Sequence, residues 1–351
     1  MKRTNIKPNI KRMVYLLLLL SGWWSSGVQA QVGGGVTNVG TTAAPFLEIG
    51  VGARAIGMGG AFVATANDAS ALYWNPAGLA RLHRPEVMFV HTEWLADINF
   101  DFAGAVISLG RYGTLGASIT TLSMEEMEVR TVLQPEGTGE FFDARDMALG
   151  ISYGFNLTDR FSLGFNAKYI YQKIWKETAH GFAVDIGTLF ITTFRGLRIG
   201  AALSNFGTEM KLDGTDLLVY HDIDPRAQGN NERIFAKLET DSWPLPLNFQ
   251  AGLAMEVWQS APHRLTVAAE AMHPKDNTES LHMGMEYAFQ ELFYLRAGFR
   301  NLLLEDREEG LTLGAGFATR FLGNVEARVD YAYADFGRLE NVHRFSINLK
   351  L

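Results

Sequence analysis

Residues able to do chemistry are thinly spread in this 351-residue sequence and badly spaced for it. There is no cysteine, which removes disulfides, thiolate nucleophiles and Cys-based metal sites together. The eight histidines are dispersed, with no HExxH or comparable pairing, so a zinc enzyme is not expected. His180 and His263 read as solvated residues at strand ends. No serine sits in a GxSxG elbow. Gly50-Val-Gly52-Ala-Arg-Ala55 begins like a dinucleotide fingerprint, but the third glycine is missing and no βαβ unit surrounds it. Three acidic runs, Asp213-Gly-Thr-Asp216, His221-Asp-Ile-Asp224 and Glu305-Asp-Arg-Glu-Glu309, carry the hard oxygens that calcium takes. None has EF-hand spacing, and a solvated loop is the better reading. The sequence therefore predicts no enzyme, no catalytic residue, no metal site and no cofactor, and a net charge of −7 gives no footprint for nucleic acid.

What must be positioned is instead the stretch Phe46 to Arg84, which reads neither as a transmembrane strand nor as an ordinary helix. Gly50, Gly52, Gly57, Gly59 and Gly60 crowd one short run, a density that marks close backbone approach or positive φ. A polar hinge, Asn67-Asp68-Ala69-Ser70, follows. Either Asp68 or Ser70 could cap a single helical turn through Tyr73, which Pro76 ends. Asn75, standing before a proline, is pushed towards an extended conformation while its amide can still bond the backbone of the turn. By local pattern alone the stretch is equally a linker with one short helix.

The elements around it follow a simple rule. Lys2, Arg3, Lys7, Lys11 and Arg12 precede the apolar run Met13 to Leu20 and then Val28-Gln29-Ala30, the pattern of a secretory signal peptide over 1–30, cleaved after Ala30. No later run has the length of a transmembrane helix. From Glu86 onward the period is two: Phe161, Leu163, Phe165, Ala167, Tyr169 and Tyr171 alternate with Ser162, Gly164, Asn166, Lys168 and Gln172. About fourteen such segments fit, near 86–94, 100–109, 113–123, 145–155, 161–174, 181–193, 197–206, 244–257, 263–272, 280–288, 293–300, 310–319, 324–334 and 342–351. Their connections alternate short with long, as a barrel with short periplasmic turns and long outer loops demands. Phe155, Phe161, Phe194, Phe289, Phe293 and Phe321 fall at the expected periplasmic ends, and Trp94, Trp175 and Trp243 at the outer ends, where interface girdles form. The fold expected is all-β: an antiparallel transmembrane β-barrel of about 14 strands over 86–351, with an N-terminal plug, or hatch, over 31–85.

Its inward faces differ between halves. Strands three to seven present small residues such as Gly116, Ser118, Gly150, Gly154, Gly187 and Gly200, against which the plug is expected to lie. The later strands present Glu256, Glu270, Glu286, Glu326 and Asp330, expected to pair across the lumen with Arg264, Arg296, Arg300, Arg328 and Arg344. The longest connection, Gly207 to Ser242, carries Tyr220, Ile234, Phe235 and Leu238 and is the first candidate for a protein contact.

The run from Asp68 through Tyr73-Trp74-Asn75-Pro76-Ala77-Gly78-Leu79 resembles the hatch of FadL-type outer-membrane transporters, whose hallmark is Asn-Pro-Ala. It is closer still to the PorV/PorQ-like branch, which carries an AAPFLxIGxGARAxGMGGAFVA segment, here Ala43 through Ala64. Pro135-Glu-Gly-Thr-Gly-Glu140 resembles a loop of the same branch. The resemblance implies a site made of the hatch motif, Asp68, Asn75, Pro76, Ala77 and Gly78, together with the five glycines. It also implies the outer membrane, with its lipid, as location. For the FadL-like group it implies a hydrophobic ligand leaving sideways through the wall. For the PorV/PorQ-like branch it implies a noncatalytic accessory of type IX secretion, meeting the translocon barrel and cargo that bears C-terminal signal domains.

Overall fold

A period of two gives every segment after Glu86 one polar and one apolar face, and closing the sheet on itself is the way to bury the first without leaving an unpaired edge. In the computed structural model fourteen strands do this: β1 Glu86–Glu93, β2 Asn99–Ser108, β3 Thr114–Ser123, β4 Ala144–Asn156, β5 Phe161–Ile174, β6 Glu177–Ile191, β7 Arg198–Gly207, β8 Asn248–Ser260, β9 His263–Pro274, β10 Ser280–Phe289, β11 Phe293–Phe299, β12 Leu311–Phe321, β13 Val325–Asp335 and β14 Asn341–Lys350. Each pairs antiparallel with its sequence neighbours. Closure comes from β1, which pairs with both β2 and β14, so that Glu86 stands between Val106 and Lys350. The residues described are 38–229, 233–302, 304, 309–321 and 325–351. The expected signal peptide and its cleavage site, the first expected plug residues, Glu305 to Glu308 and the side chain of Phe321 lie outside them.

Most strands run where the alternation puts them, and the two larger differences have local causes. Strand β8 starts at Asn248 rather than 244, since Pro244 and Pro246 have no N–H to give a ladder. Their carbonyls accept instead from Ala43 N (2.8 Å) and Asn205 Nδ2 (2.9 Å). Strand β6 starts at Glu177 rather than 181, because Glu177 and Thr178 also pair with Asp213–Gly214 of the long loop. That loop and the one over 124–143 fold into hairpins beyond the barrel rim. Leu218–His221 pairs with Ile234–Lys237, and Met127–Glu128 with Phe141–Phe142. All long connections fall at one end of the barrel, and only short turns at the other.

Side chains follow the pleat. On β14, Val342, Arg344, Ser346 and Asn348 are buried, whereas Phe345 and Ile347 stand about half exposed on the outer face. Aromatic contacts mark both outer rims: Phe161 with Phe190 and Phe293 with Phe317 at the short-turn end, Tyr169 with His180 and Tyr331 with His343 at the long-loop end. His180 lies within β6 rather than at its end, with Nδ1 2.6 Å from Tyr169 Oη. Trp94 also departs from expectation. It turns inward, edge-on to Phe336 (5.2 Å) and against the Arg344 guanidinium (5.2 Å), so it is no girdle residue.

Candidate functional site in the barrel lumen

Residues 44–82 lie among the inward faces of the strands, and nearly all of them are buried. Their local structure is short: 3-10 turns at Pro45–Glu48 and Pro76–Arg81, and helical turns α1 (Ala53–Gly57) and α2 (Ala71–Trp74). No turn is long enough to be stable alone, so the wall must hold the path. It does so through glycine. Gly154, Gly164 and Gly187 are cross-strand partners on β4, β5 and β6, and a methyl group on any of them would strike Asn75 to Ala80. Gly200 and Gly252, partners on β7 and β8, leave the same room for Val63 and Ala64. Gly284 and Gly298, partners on β10 and β11, take Met58 and Gly59. On the segment's side, Gly59 has φ +67°, and a Cβ there would sit 2.6 Å from Met283 O. Gly57 approaches Gly314 of β12, Gly52 and Gly60 also have positive φ, and Gly50 lies under Ile56 and Trp74. The segment thus rests on both halves of the barrel, not on the small-residue half alone.

The Asn75 side chain makes three hydrogen bonds. Its Nδ2 donates to Val63 O (2.7 Å) and to Thr188 O of β6 (3.0 Å), and its Oδ1 accepts from Ala77 N (3.1 Å). The extended backbone expected before Pro76 is present, with φ −161°. Pro76 opens the second 3-10 turn, where a missing N–H costs nothing. Ala77 is fully buried, and a side chain on Gly78 would collide with Ala66 O. Of the two expected caps, Ser70 makes no side-chain cap bond to α2. Asp68 Oδ1 accepts from Ser70 N (3.1 Å) and from the Ser70 hydroxyl, an Asx turn that spends both groups locally.

The other oxygen of Asp68 faces a buried ion network. Oδ2 lies 2.8 Å from Arg54 Nη1 and 2.6 Å from Arg328 Nη2. Arg54 reaches on to Glu286 (2.9 Å), Glu286 to Arg296 (2.8 Å), Arg296 to Asp330 (2.8 Å) and Asp330 back to Arg328 (2.9 Å). Burial alone would raise the Asp68 carboxyl, but Arg328 and Arg54 outweigh it and hold the group well below the usual carboxylate range. The charges expected to pair strand to strand across the lumen are therefore linked through the segment's own Arg54 and Asp68. Others pair elsewhere. Glu256 meets Arg198, Glu326 meets Arg320, and Arg300 meets Glu309. Glu270 meets no arginine and accepts instead from Phe62 N (2.7 Å) and Val63 N (2.8 Å). Arg344 has no hydrogen-bond partner among the described residues. Arg54 was the one network member without a signal in its spacing, beyond being a lone charge in an apolar, glycine-rich run.

Two cavities flank the segment. One of about 480 Å3 at the short-turn end is walled by Arg54, Asn67, Arg264, Glu291, Arg328 and Lys350. The other, about 290 Å3 at the long-loop end, is lined by amides and charges such as Asn166, Lys168, Asp185, Asn248 and Gln250, with Tyr73 and Trp74 beneath. The first is mainly polar, whereas the second also has an apolar wall that includes Leu47, Leu72, Phe102 and Met272. Among the described residues no group of three metal-ligating side chains converges.

A family model described as type IX secretion system protein PorV matches residues 35–223. Among solved structures, the fold is similar to the toluene transporter TbuX of Ralstonia pickettii, at 12% identity over 86% of this chain and 97% of that one, with a TM-score of 0.52. It is equally similar to the toluene transporter TodX of Pseudomonas putida, at 12% identity over 86% and 97%, TM-score 0.52. At such identities the likeness is one of fold. No curated protein sequence matches.

Proposed function

We propose, given that this chain belongs to the PorV family of type IX secretion system proteins, whose model spans more than half of it, that this outer-membrane barrel is a noncatalytic accessory of type IX secretion. It works through its outer loops, not through its lumen. Residues 31–85 are its plug after removal of 1–30, with Asp68, Asn75, Pro76, Ala77 and Gly78 and the glycines 50, 52, 57, 59 and 60 as the anchors that seat it. The partners proposed are the translocon barrel and cargo with C-terminal signal domains.

One observation carries the reading. Large apolar side chains stand in water on the long loops: Val132 is 99% and Leu133 93% exposed at one hairpin tip, and Phe235 68% and Tyr220 66% on the paired strands of another. Outside the bilayer band, exposed large apolar side chains of this kind favour a protein contact. Uptake of a hydrophobic small molecule is the second reading, supported by the shared fold of the toluene transporters. The mainly polar lining of the cavity at the short-turn end weighs against it.

Gentle affinity purification of the tagged protein from native outer membrane, with mass spectrometry of bound proteins and lipids, separates the two. Co-purification of a large barrel or of signal-bearing cargo, lost in a Val132→Asp/Leu133→Asp variant that still folds, supports secretion. A lone barrel carrying an enriched apolar ligand overturns it in favour of transport.

A further inference from the structure

We propose that the cavity at the long-loop end binds the ammonium group of an organic amine, held by Glu48, Asp276 and Asn248. This goes beyond the secretion reading and does not depend on it. All three residues line the same space of about 290 Å3. Asn248 stands opposite Pro274 in the β8–β9 register, two residues before Asp276, so the amide and the carboxylate share one corner. Asp276 Oδ2 accepts from the Thr42 hydroxyl at 3.0 Å. Among the described residues its Oδ1 has no donor, nor has Asn248 Oδ1, although the two residues are only 8% and 9% exposed. A buried acceptor without a donor costs about 1–3 kcal/mol, so two in one corner ask for a ligand that donates.

The charge balance says which kind. The cations lining the cavity are already engaged, Lys168 with Asp185 and Arg300 with Glu309, each at 2.8 Å. Among the described residues neither Glu48 nor Asp276 has an ion-pair partner, and the charge of Asp276 acts on Glu48. Burial first, and then the charge of Asp276, push the Glu48 carboxyl up to about 7. A primary ammonium has three N–H donors for these three acceptors. Calcium needs six to eight oxygens, and these three side chains supply at most five. Tyr73, Trp74 and Phe102 also line the cavity, offering apolar area and ring faces to the body of an organic cation.

The test uses the full-length protein in detergent micelles at pH 8 and constant ionic strength, titrated calorimetrically with butylammonium chloride. Saturable binding is expected, weakened at least tenfold by Asp276→Asn and by Asn248→Leu, and unaltered by Asp222→Asn on the exposed loop. Tetramethylammonium, which has no N–H, is expected to bind at least tenfold more weakly. Heat-modifiable mobility on gels confirms that each variant is folded. Competition by Nα-acetyl-lysine amide would mark a peptide side chain as the source of the ammonium, and failure to compete a free amine. Absence of saturable binding in folded wild-type protein overturns the proposal, as does butylammonium affinity indifferent to Asp276→Asn. Binding of calcium alone, tested with calcium chloride, overturns it in favour of a metal site.

Discussion

Arg54 Nε lies 2.9 Å from Glu286 Oε2 and Arg54 Nη2 3.2 Å from Oε1, so one buried, two-pronged ion pair ties the lumenal segment to strand β10. Because Arg54 also holds Asp68, removing it leaves two carboxylates short of a partner in a dry site. Arg54→Met is expected to destabilise the barrel by about 3 kcal/mol, the cost of breaking a buried pair from one side. The readout is a lower temperature for loss of heat-modifiable mobility. Adding Glu286→Gln should return part of that loss, because it removes one stranded charge. An additive double mutant would show the pair to be uncoupled.

Glycine contacts make a sharper claim about geometry. Gly164→Ala places a methyl group on the backbone of Pro76 and Ala77, neither of which can yield. Overpacking of this kind costs about 1–3 kcal/mol or displaces what it strikes. The expected result is faster tryptic cleavage after Arg54 or Arg81 in a barrel that is still folded. Gly310→Ala, where the nearest atom is a Phe299 ring carbon at 3.8 Å, is the control and should leave the digestion rate unchanged.

Much of this architecture is legible in the sequence because alternation is local. Ser162, Gly164 and Asn166 face inward whatever their partners, and the pattern of short and long connections then sets strand number and sidedness. What alternation cannot carry is register. That Gly154, Gly164 and Gly187 line up into one floor, or that Glu286 meets Arg54 and not only Arg264 or Arg296, depends on how neighbouring strands are staggered and on a segment more than two hundred residues away. Trp94 was misplaced for the same reason. Its position at a strand end is visible in the sequence, while its inward turn depends on Phe336 and Arg344 across the closing seam of the barrel.

Glu48 supplies the pH dependence. Glu48 as a residue is partly open to solvent, yet desolvation of its carboxyl and then the charge of Asp276 raise that group to about 7, whereas an unfolded glutamate titrates near 4.3. The folded state therefore binds the proton more tightly. The stability this confers is complete below the unfolded value and is lost as pH rises through about 7. Wild-type protein is expected to unfold at a lower temperature at pH 8 than at pH 5. Glu48→Gln, which cannot ionise, should flatten that part of the profile. An unchanged slope between pH 5 and 8 in the variant would assign it to other groups.

Arg344 points the other way, to a residue kept at a cost. It is fully buried on β14, its Nε, Nη1 and Nη2 have no hydrogen-bond partner among the described residues, and its guanidinium lies 5.2 Å from the ring of Trp94. Arg300, the charge that acts on it most strongly, has the same sign. An uncompensated buried guanidinium is less favourable than an apolar chain of similar length. Arg344→Met should therefore raise the temperature at which the barrel loses heat-modifiable mobility, whereas Arg296→Met, which strips partners from Glu286 and Asp330, should lower it. If Arg344→Met instead destabilises as strongly as Arg296→Met, the guanidinium has an anionic partner in the folded protein, and the search for it would begin at Glu309, whose charge acts on Arg344 with the favourable sign.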